Sequence, residues 1–572
     1  MTIAALPQRF FVGLILALST IGAGLAVEKP TAVKGTITVP GPLVLTPTEL
    51  VLVDGRKVQG QLACELEAHL ILYSPNLGTL QSFRKEFVAS YIRNKKVVEL
   101  SAPRTLSPEE LQVGLDWKGW PDAPPASGPK PAYTTQKWAP PKRLLVWRKP
   151  GVGSLSGKEA IKRDGPKDSS EVKWVGSFWK DADSWLVLGE PLVEGSKGWG
   201  AETDIILPGV DLAHAYMAEA AGDVDIAFRH AVAENHTFLR ASAMEISGNV
   251  WWHERGRWWT PNVRMWNIIG AQHTFIRNDR PAEVTVRDQD LVPAVPGATW
   301  DERGRRLAQY VFVKKETGAS VEFIGQFGAG DKFWMYSGAT ILGPDSSVGS
   351  GVQNSDHIYK DASLHLMDGA ILGKQHAFPN HTTITVDGLL TAGLPERPLT
   401  RNAAIVLAKK DYTGVMGAGG NDPSGLRVNP SGHLRIYSTN PAQAKLLIRG
   451  IGSANDDMNA LSLNLSPSDY DGARWKSLPT RIDVVLLGDV VLDGVIFQDL
   501  YRGGIRLKDL GMASAWKNVV FAPSCQSQKP GDNYAVYQKD VPPLGWTEDP
   551  AVKNPLISPG GKVNLPLQAK KK

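Results

Sequence analysis

Cysteine is nearly absent from this chain of 572 residues, which has only Cys64 and Cys525. Two cysteines exclude a disulfide framework and a zinc site built from cysteine, and they leave open whether this pair is bonded. An excess of one charge is also missing, because the formal net charge is only +5 at pH 7. Such a small imbalance gives no electrostatic reason for a nucleic-acid partner, and we expect none.

Complete catalytic motifs are missing as well. In "GVGSLSGKEA" the outer glycines are one residue too far apart for a phosphate-binding loop, and Glu159 replaces the hydroxyl residue. "HERGR" begins like a zinc-protease helix, but Arg257 occupies the position of the second metal ligand. "GSLSG" has Leu155 where a hydrolase places its nucleophilic serine. The sequence therefore names no reaction.

Long apolar runs are confined to the N-terminus. Arg9 precedes "FFVGLILALSTIGAGLA", in which Gly24 and Ala26 occupy the −3 and −1 positions of a cleavage site. The alternative is a membrane anchor, but small and polar residues interrupt the run. We predict a signal peptide over residues 1–26 and a secreted, periplasmic or cell-surface location. No later run is long enough to span a membrane, so we expect no transmembrane segment after cleavage.

Short strand-like segments follow in residues 36–116. "LVDGRKVQGQL" places Asp-Gly between two alternating runs, which predicts a hairpin, and five such segments predict a small β-barrel. "LSPEEL" predicts a short helix after them. The phrases "VDGRKVQGQL" and "FRKEFVASYIR" resemble small SH3-like or Sm-like barrels. Residues 117–142 are rich in proline, which favours an extended linker that forms no core.

The most informative feature is a repeated sequence pattern of strand, glycine turn and strand. It occurs in "FWMYSGATILG", "LHLMDGAILG", "ITVDGLLTAG" and "VVLDGVIF", and we assign corners to Gly338, Gly369, Gly388 and Gly494. Short strands that recur in one array, with glycine at the corners, predict the stacked rungs of a parallel β-helix. Because Asp-Gly also makes hairpins, a pair of β-sandwiches is the alternative.

Residues 201–522 resemble right-handed parallel β-helix proteins of the pectate-lyase-like kind. The stretch from "KWVGSFW" to "TDIILP" resembles the start of G8-type domains. The expected fold is therefore all-β, a right-handed parallel β-helix preceded by a small β-barrel. The β-helix domain with its N-terminal cap spans 143–525, and "DLAHAYMAEAA" has a helical composition that suits a cap or an insertion. Residues 526–572 form a proline-rich tail that ends in lysines.

Tryptophan is frequent, with 18 residues, most of them between positions 117 and 300. In "VWWHERGRWW" two pairs flank Glu-Arg-Gly, and a hairpin there would send one ring of each pair to each face. Exposed indoles stack on sugar rings, and neighbouring arginines suit an acidic polymer. The predicted ligand-binding residues are Trp251, Trp252, Arg255, Arg257, Trp258 and Trp259. The alternative is that these rings plug the end of the β-helix or fill the seam between modules.

A second candidate group contains histidines. Imidazoles bind metals and transfer protons near neutral pH, so a cluster of them suggests either role. Their spacing matches no metal site, and we interpret them as surface or cap histidines. The group comprises Asp356, His357, His365, His376 and His381.

A third candidate is the acidic pair Asp456 and Asp457, since paired carboxylates on a β-helix face resemble those of polygalacturonase-type hydrolases. Arg506 and Lys508 resemble the distal basic motif of that family. The family's Gly-His-Gly is absent, and adjacent residues on a strand point to opposite faces. We interpret the two aspartates as loop acids.

Two functional classes follow. The first is an exported non-catalytic protein that binds a glycan or scaffolds the cell surface, with a polysaccharide or a cell-surface component as partner. The second is a polysaccharide lyase or glycoside hydrolase that acts on an acidic polysaccharide along a β-helix groove, and this class rests on analogy of fold. We expect no cofactor, with calcium as the exception if the protein is a lyase. No catalytic residues are assigned.

Overall fold

The structure is a computed structural model that describes the chain in segments. The described residues are 41–74, 79–106, 131–132, 138–147, 161–162, 173–174, 185–191, 202–208, 218–219, 225–234, 237–240, 243–252, 257–259, 262–266, 272–278, 306–350, 354–373, 382–408, 424–451, 482–498, 505–508, 515–521 and 535–536. Within them the chain is all-β, which confirms the predicted class. A single 3₁₀ turn, Lys85–Phe87, is the one helical element among these residues.

Six strands near the N-terminus form an antiparallel sheet in the order β4-β3-β2-β1-β5-β6. They are Thr46–Leu52 (β1), Lys57–Glu65 (β2), His69–Ser74 (β3), Thr79–Arg84 (β4), Val88–Arg93 (β5) and Lys96–Glu99 (β6). The hairpin predicted from Asp-Gly joins β1 to β2. Gly55 in its turn has a φ of 86°, which glycine adopts without a steric penalty. Closure of this sheet into a barrel stays a prediction.

The remaining strands follow in chain order. They are Arg143–Trp147 (β7), Ile161–Lys162 (β8), Lys173–Trp174 (β9), Trp185–Gly189 (β10), Thr203–Leu207 (β11), Ala218–Glu219 (β12), Asp225–Phe228 (β13), Ala231–Ala233 (β14), Thr237–Arg240 (β15), Ala243–Ile246 (β16), Val250–Trp252 (β17), Arg257–Trp259 (β18), Asn262–Trp266 (β19), His273–Asn278 (β20), Arg306–Lys314 (β21), Ser320–Ile324 (β22), Gln326–Leu342 (β23), Ser347–Ser350 (β24), Asn354–Leu366 (β25), Ile371–Leu372 (β26), Thr382–Val386 (β27), Leu389–Ala392 (β28), Ala403–Ala408 (β29), Ser424–Val428 (β30), His433–Ile436 (β31), Leu446–Ile451 (β32), Ile482–Leu486 (β33), Asp489–Gln498 (β34), Ile505–Lys508 (β35), Ala515–Phe521 (β36) and Ala535–Val536 (β37).

Most of these strands belong to one large sheet. The exceptions are a pair, β8 and β9, and a parallel three-stranded sheet of β12, β15 and β18. In the large sheet β7 and β10 are antiparallel, and the other pairings are parallel. Neighbouring parallel strands need a crossover connection rather than a tight hairpin. The repeated strand–glycine–strand patterns therefore do not form the hairpins of a β-sandwich.

The parallel pairings of the large sheet connect its strands into three series. Within a series each strand pairs with the next, and the chain visits the series alternately. The first series is β7, β11, β14, β17, β20, β22, β23, β25, β28, β31, β34 and β36. The second is β13, β16, β19, β21, β23, β25, β27, β30, β33, β35 and β37. The third is β23, β24, β26, β29, β32 and β34.

Alternation along the strands separates an interior face from an outer face. On β23 the side chains of Phe333 and Met335 are fully buried, while Trp334 and Tyr336 between them are only half-buried. The interior side chains form one continuous apolar core that extends from Leu145 along the whole array. Each fully buried side chain of this size contributes about 1.5–3 kcal/mol, so the core is the main source of stability.

Glycine is required at the predicted corners for two reasons. Gly338, Gly369 and Gly494 have φ values of 77°, 70° and 88°, in the left-handed region that side chains disfavour. Gly388 has no such φ, but a Cβ on it would lie 2.2 Å from the carbonyl oxygens of Tyr359 and Ala362. These positions therefore disfavour larger residues. Gly338 lies within β23 and Gly494 within β34, so their role as corners of a β-helix stays a prediction.

The six-stranded sheet packs directly on the first strands of the large sheet. Glu234, which follows β14, accepts hydrogen bonds from the backbone N–H (2.8 Å) and the hydroxyl of Ser82 on β4. The Tyr73 hydroxyl donates to the carbonyl of Ala139 at 3.2 Å, and Arg229 donates to the same carbonyl at 2.7 Å. The linker was expected to form no core, but its C-terminal end is packed into this seam.

Other expectations fall partly or wholly outside the described residues. The signal peptide, the short helix in "LSPEEL", Cys525 and most of the tail lie there. Within "DLAHAYMAEAA" the described residues 218–219 form strand β12, which pairs with β15 rather than forming a helix. A two-residue strand held by a neighbour overrides the local helical composition, because pairing outweighs weak propensity.

Candidate ligand-binding surface

The predicted tryptophan hairpin does not form. Its two halves, β17 and β18, belong to different sheets: β17 pairs with β14 and β20, whereas β18 pairs with β15. The prediction was wrong because it relied on local sequence symmetry, while the pairing partners of both strands are distant in sequence.

Alternation does send the first two rings to opposite faces, but both faces are covered. Trp252 is 4% exposed and lies in the large core, 5.6 Å from the ring of Phe327. Trp251 is 2% exposed and lies in the seam with side chains of the six-stranded sheet, beneath the guanidinium of Arg277. A ring buried in this way presents no face to a sugar. The alternative interpretation, a filled seam, fits Trp251.

The other four residues of that prediction are described less fully. Arg255 lies outside the described residues, and Arg257, Trp258 and Trp259 are described only as backbone positions of β18. Their role in binding a ligand stays a prediction. The same holds for Asp456 and Asp457, which are not described, and for Arg506 and Lys508, whose positions on β35 are described without their side chains.

The histidine group separates into three environments. Asp356 is buried in the interior, His357 is half-buried on the outer face, and His376 and His381 lie outside the described residues. His365 is 7% exposed and is held between the hydroxyls of Ser363 and Thr391, both at 2.8 Å. It is therefore not the surface histidine that we expected. Burial lowers the pKa of His365 to about 4, so it is neutral at pH 7.

His357 belongs to a cluster of aromatic rings on the outer face of the second series. Phe312, Trp334 and His357 are register neighbours on β21, β23 and β25. Tyr336 and Tyr359 follow two positions later on β23 and β25. We call these five residues the aromatic surface. All five side chains are half-buried, so part of each remains accessible to solvent.

The rings contact one another in a continuous array. His357 stacks on Tyr359 with ring centroids 3.8 Å apart, and Tyr359 stacks on Tyr336 at 4.8 Å. Trp334 meets Tyr359 edge-on at 6.1 Å and lies 5.7 Å from Phe312. Offset and edge-on geometries of this kind each contribute about 0.5–1.5 kcal/mol beyond area burial. The ammonium of Lys332 lies 4.3 Å from the Trp334 centroid, as a cation over an indole prefers.

A chain of hydrogen bonds extends from the aromatic surface across the next two strands. His357 Nε2 lies 2.6 Å from Asp387 Oδ2, and Asn429 Nδ2 donates to Asp387 Oδ1 at 2.8 Å. Ser431 also donates to Asp387 Oδ1 at 3.3 Å, and Arg427 Nε donates to Asn429 Oδ1 at 2.7 Å. We call these residues the polar chain. The terminal nitrogens of exposed Arg427 have no partner within the described part of the chain.

The polar chain determines the charge at this surface. Burial alone would raise the pKa of Asp387, but hydrogen bonds from Asn429, His357 and Ser431 outweigh it and lower the pKa. Burial raises the pKa of Tyr359, and the Asp387 carboxylate raises it further. Burial also raises the pKa of Tyr336. Asp387 is therefore an anion at neutral pH, and both phenols keep the proton they need as hydrogen-bond donors.

Sequence reasoning named His357 but missed the rest of this surface. The signal is the alternation in "KFWMYSG" and "DHIYKD", where aromatic residues occupy every second position on the face opposite the apolar core. No sequence signal predicts the contact between His357 and Asp387. The two residues are brought together by the parallel pairing of β25 with β27, in which Ile358 is opposite Val386. The surface combines accessible ring edges and faces with hydrogen-bond donors, one carboxylate and an arginine.

Among the described residues, no group of three or more His, Cys, Asp or Glu side chains is arranged to hold a metal ion. The described part of the chain also contains no helix of the length and apolar character that a membrane span requires. Comparisons with protein-family models, curated proteins and solved structures found no match.

Proposed function

We propose that this protein is exported and binds a glycan through the aromatic surface, without catalysing a reaction, in a periplasmic, secreted or cell-surface setting where it can also act as a scaffold. The observation that carries the proposal is the array of half-buried rings on adjacent parallel strands, from Phe312 to Tyr359. The proposal includes a right-handed parallel β-helix, in which the three series of strands are successive faces of one coil.

The chemistry of the surface suits a sugar chain. Aromatic rings bind the C–H faces of sugars, and protonated tyrosine hydroxyls and Asn429 supply hydrogen bonds to sugar hydroxyls. Neighbouring strands are about 4.8 Å apart, so rings on adjacent strands follow one another at a spacing close to one sugar unit. Arg427 offers a planar fork that matches a carboxylate, which favours an acidic polysaccharide.

A catalytic alternative rests on the pair His357 and Asp387. A histidine oriented by a carboxylate is a common acid–base arrangement, and this one lies next to the proposed binding rings. The alternative function is therefore a lyase or hydrolase for acidic polysaccharides, with calcium as a possible cofactor for a lyase. Fold analogy supports it, and His357 is the residue on which it depends.

The test is a binding assay of the full mature chain against acidic and neutral polysaccharides. Trp334→Ala and Tyr359→Ala should each weaken binding by about 1–3 kcal/mol, in line with stacking of aromatic rings on nucleic-acid bases. Val97→Ala, at an exposed position on the six-stranded sheet, is the control and should bind normally. Unchanged binding in both ring variants would contradict the proposal.

The same assay separates the two functions. A non-catalytic protein leaves the polysaccharide chain length unchanged, with or without calcium. If wild-type protein shortens the chain and His357→Ala does not, the protein is an enzyme and the alternative replaces the proposal.

A further inference from the structure

Three hydrogen-bonded side chains lie on the outer face of the first series. Ser363 and His365 are two positions apart on β25, so they point to the same side, away from the core residues Ala362 and Leu364. Thr391 on β28 is the register neighbour of His365. Ser363 is half-buried, whereas His365 and Thr391 are buried, with 7% and 1% exposure. The serine is therefore the member of this group that a reagent can reach from solvent.

The hydrogen bonds of Thr391 determine where the proton lies on the His365 ring. Thr391 Oγ1 donates its one hydrogen to the carbonyl oxygen of Gly393 at 2.6 Å. It can therefore only accept from His365 Nδ1, which lies 2.8 Å away, so the ring proton is on Nδ1. Nε2 then carries a lone pair, and the Ser363 hydroxyl, at 2.8 Å, donates to it. All three hydrogen bonds have the same direction, and the serine proton points at a basic nitrogen.

This arrangement is the one that activates a serine. A serine hydroxyl is a weak nucleophile until a base takes its proton, and a third group that holds the base in the correct tautomer makes the transfer efficient. Burial lowers the pKa of His365 to about 4, so its lone pair is free at pH 7 but only weakly basic. A weak base suits acyl donors with a good leaving group, such as activated esters.

The surroundings neither add a charge to this base nor supply an oxyanion site. The charged side chains in the register row of His365 are already paired, Glu322 with Arg397 and Arg435 with Asp489. Strand β25 pairs on both sides here, so its N–H groups are used within the sheet and are not available to a tetrahedral intermediate. We therefore expect an acyl group to stay on the serine rather than to be hydrolysed rapidly.

We propose that Ser363 is a nucleophile that accepts an acyl group from an activated ester, with His365 as its base and Thr391 as a positioning residue. Ser363 Oγ forms a bond to the acyl carbon, and the bond from that carbon to the leaving oxygen breaks. The hydroxyl proton passes to His365 Nε2 and then to the leaving oxygen. The product is an acylated Ser363, so this is a site of covalent modification, and it does not depend on the proposed glycan binding.

The test treats the full mature chain with p-nitrophenyl acetate and locates acetylated residues by peptide mass spectrometry. Ser363 should react at least about 100-fold faster than the other serines, the lower end of the effect of a positioned base. Ser363→Ala should lose this fast acetylation. Ser337→Ala is the control and should keep it, because Ser337 is also half-buried on the neighbouring strand but donates to the carbonyl of Lys315 rather than to an imidazole.

Rescue by a conservative variant tests the positioning role of Thr391. Thr391→Val removes the oxygen that holds the Nδ1 proton and should slow the acetylation of Ser363 by about tenfold or more, whereas Thr391→Ser should restore the rate. The wild-type rate should stay constant from about pH 7 to about pH 5 and fall as the pH approaches 4, where His365 becomes protonated.

The mapping on wild-type protein decides the matter even if a variant does not fold. Acetylation spread evenly over the serines, or absent from Ser363, would overturn the proposal. Equal rates in folded Thr391→Val and Thr391→Ser would overturn the role of Thr391.

Discussion

His357 on β25 forms a hydrogen bond of 2.6 Å with Asp387, which directly follows the neighbouring parallel strand β27. The same imidazole stacks on Tyr359, so a single side chain connects the aromatic surface to the polar chain. Asp387 also accepts hydrogen bonds from Asn429 and Ser431. The carboxylate thereby sets the orientation of the histidine ring and of the groups that lead to Arg427.

Replacement of this carboxylate tests its positioning role. Asp387→Asn removes the charge that holds His357 and leaves a single oxygen acceptor for His357, Asn429 and Ser431, so the ring loses its fixed orientation. Because the pair is half-exposed, we expect a loss of only about 1 kcal/mol in binding of an acidic polysaccharide. The measurement is a titration of each variant with the polysaccharide. Asp361→Asn, at an exposed position on β25, the strand of His357, is the control. Equal effects of both changes would argue against a positioning role.

Local features of the fold were predictable from the sequence, and non-local ones were not. The β1–β2 hairpin depends on a few adjacent residues and was predicted. Of the four glycines assigned to corners, Gly338, Gly369 and Gly494 have a positive φ, whereas Gly388 does not. The burial of Trp251 depends on a separate sheet that covers its face, and no local pattern records that contact. The contact between His357 and Asp387 was missed for the same reason, because it depends on the parallel register of strands that are distant in sequence.

Gly369 tests the predicted corner. Its φ is 70°, and a Cβ would lie 2.2 Å from Asp345 Oδ1. Gly369→Val should therefore reduce the free energy of unfolding by about 1–3 kcal/mol. Gly318 is the matched control, since its φ is 84° but a Cβ would meet no atom within 4 Å. In urea unfolding, Gly369→Ala should cost more than Gly318→Ala. Equal costs would show that the contact at the corner relaxes freely.

The seam provides a second stability prediction. Glu234 is 6% exposed and accepts two hydrogen bonds from Ser82, across the boundary between the two sheets. Glu234→Ala leaves the buried Ser82 N–H without this acceptor and should cost about 2–4 kcal/mol in chemical unfolding. Glu234→Gln keeps an oxygen acceptor and should cost less. A smaller effect for Ala than for Gln would contradict this account.

His365 makes stability depend on pH in the acidic range. Burial lowers the pKa of His365 from 6.5 to about 4 in the folded chain. The unfolded chain therefore binds more protons between these values, and stability falls as the pH drops from 6.5 to about 4. The full loss corresponds to about 3 kcal/mol. His365→Gln should flatten this part of the profile of unfolding free energy against pH. If the variant and the wild-type protein lost unfolding free energy equally over this pH range, the pKa of His365 would not be lowered in the folded state.

Lys315 makes stability depend on pH in the alkaline range. Burial lowers the pKa of Lys315 from 10.5 to about 7 in the folded chain. Between those values the unfolded chain holds the proton and the folded chain does not, so stability should rise as the pH increases from 7 to about 10. The rise corresponds to roughly 3–5 kcal/mol in a buffer without small anions.

Lys315→Met should be more stable than wild type at pH 7 and should lack this rise, because it buries no ionisable group. The other titratable groups that the Lys315 charge affects are His230 and His273, and burial lowers the pKa of both below their usual value of 6.5, outside this range. Chemical unfolding of both proteins from pH 7 to 10 decides the matter, and a wild-type profile that is flat or falling would contradict the prediction.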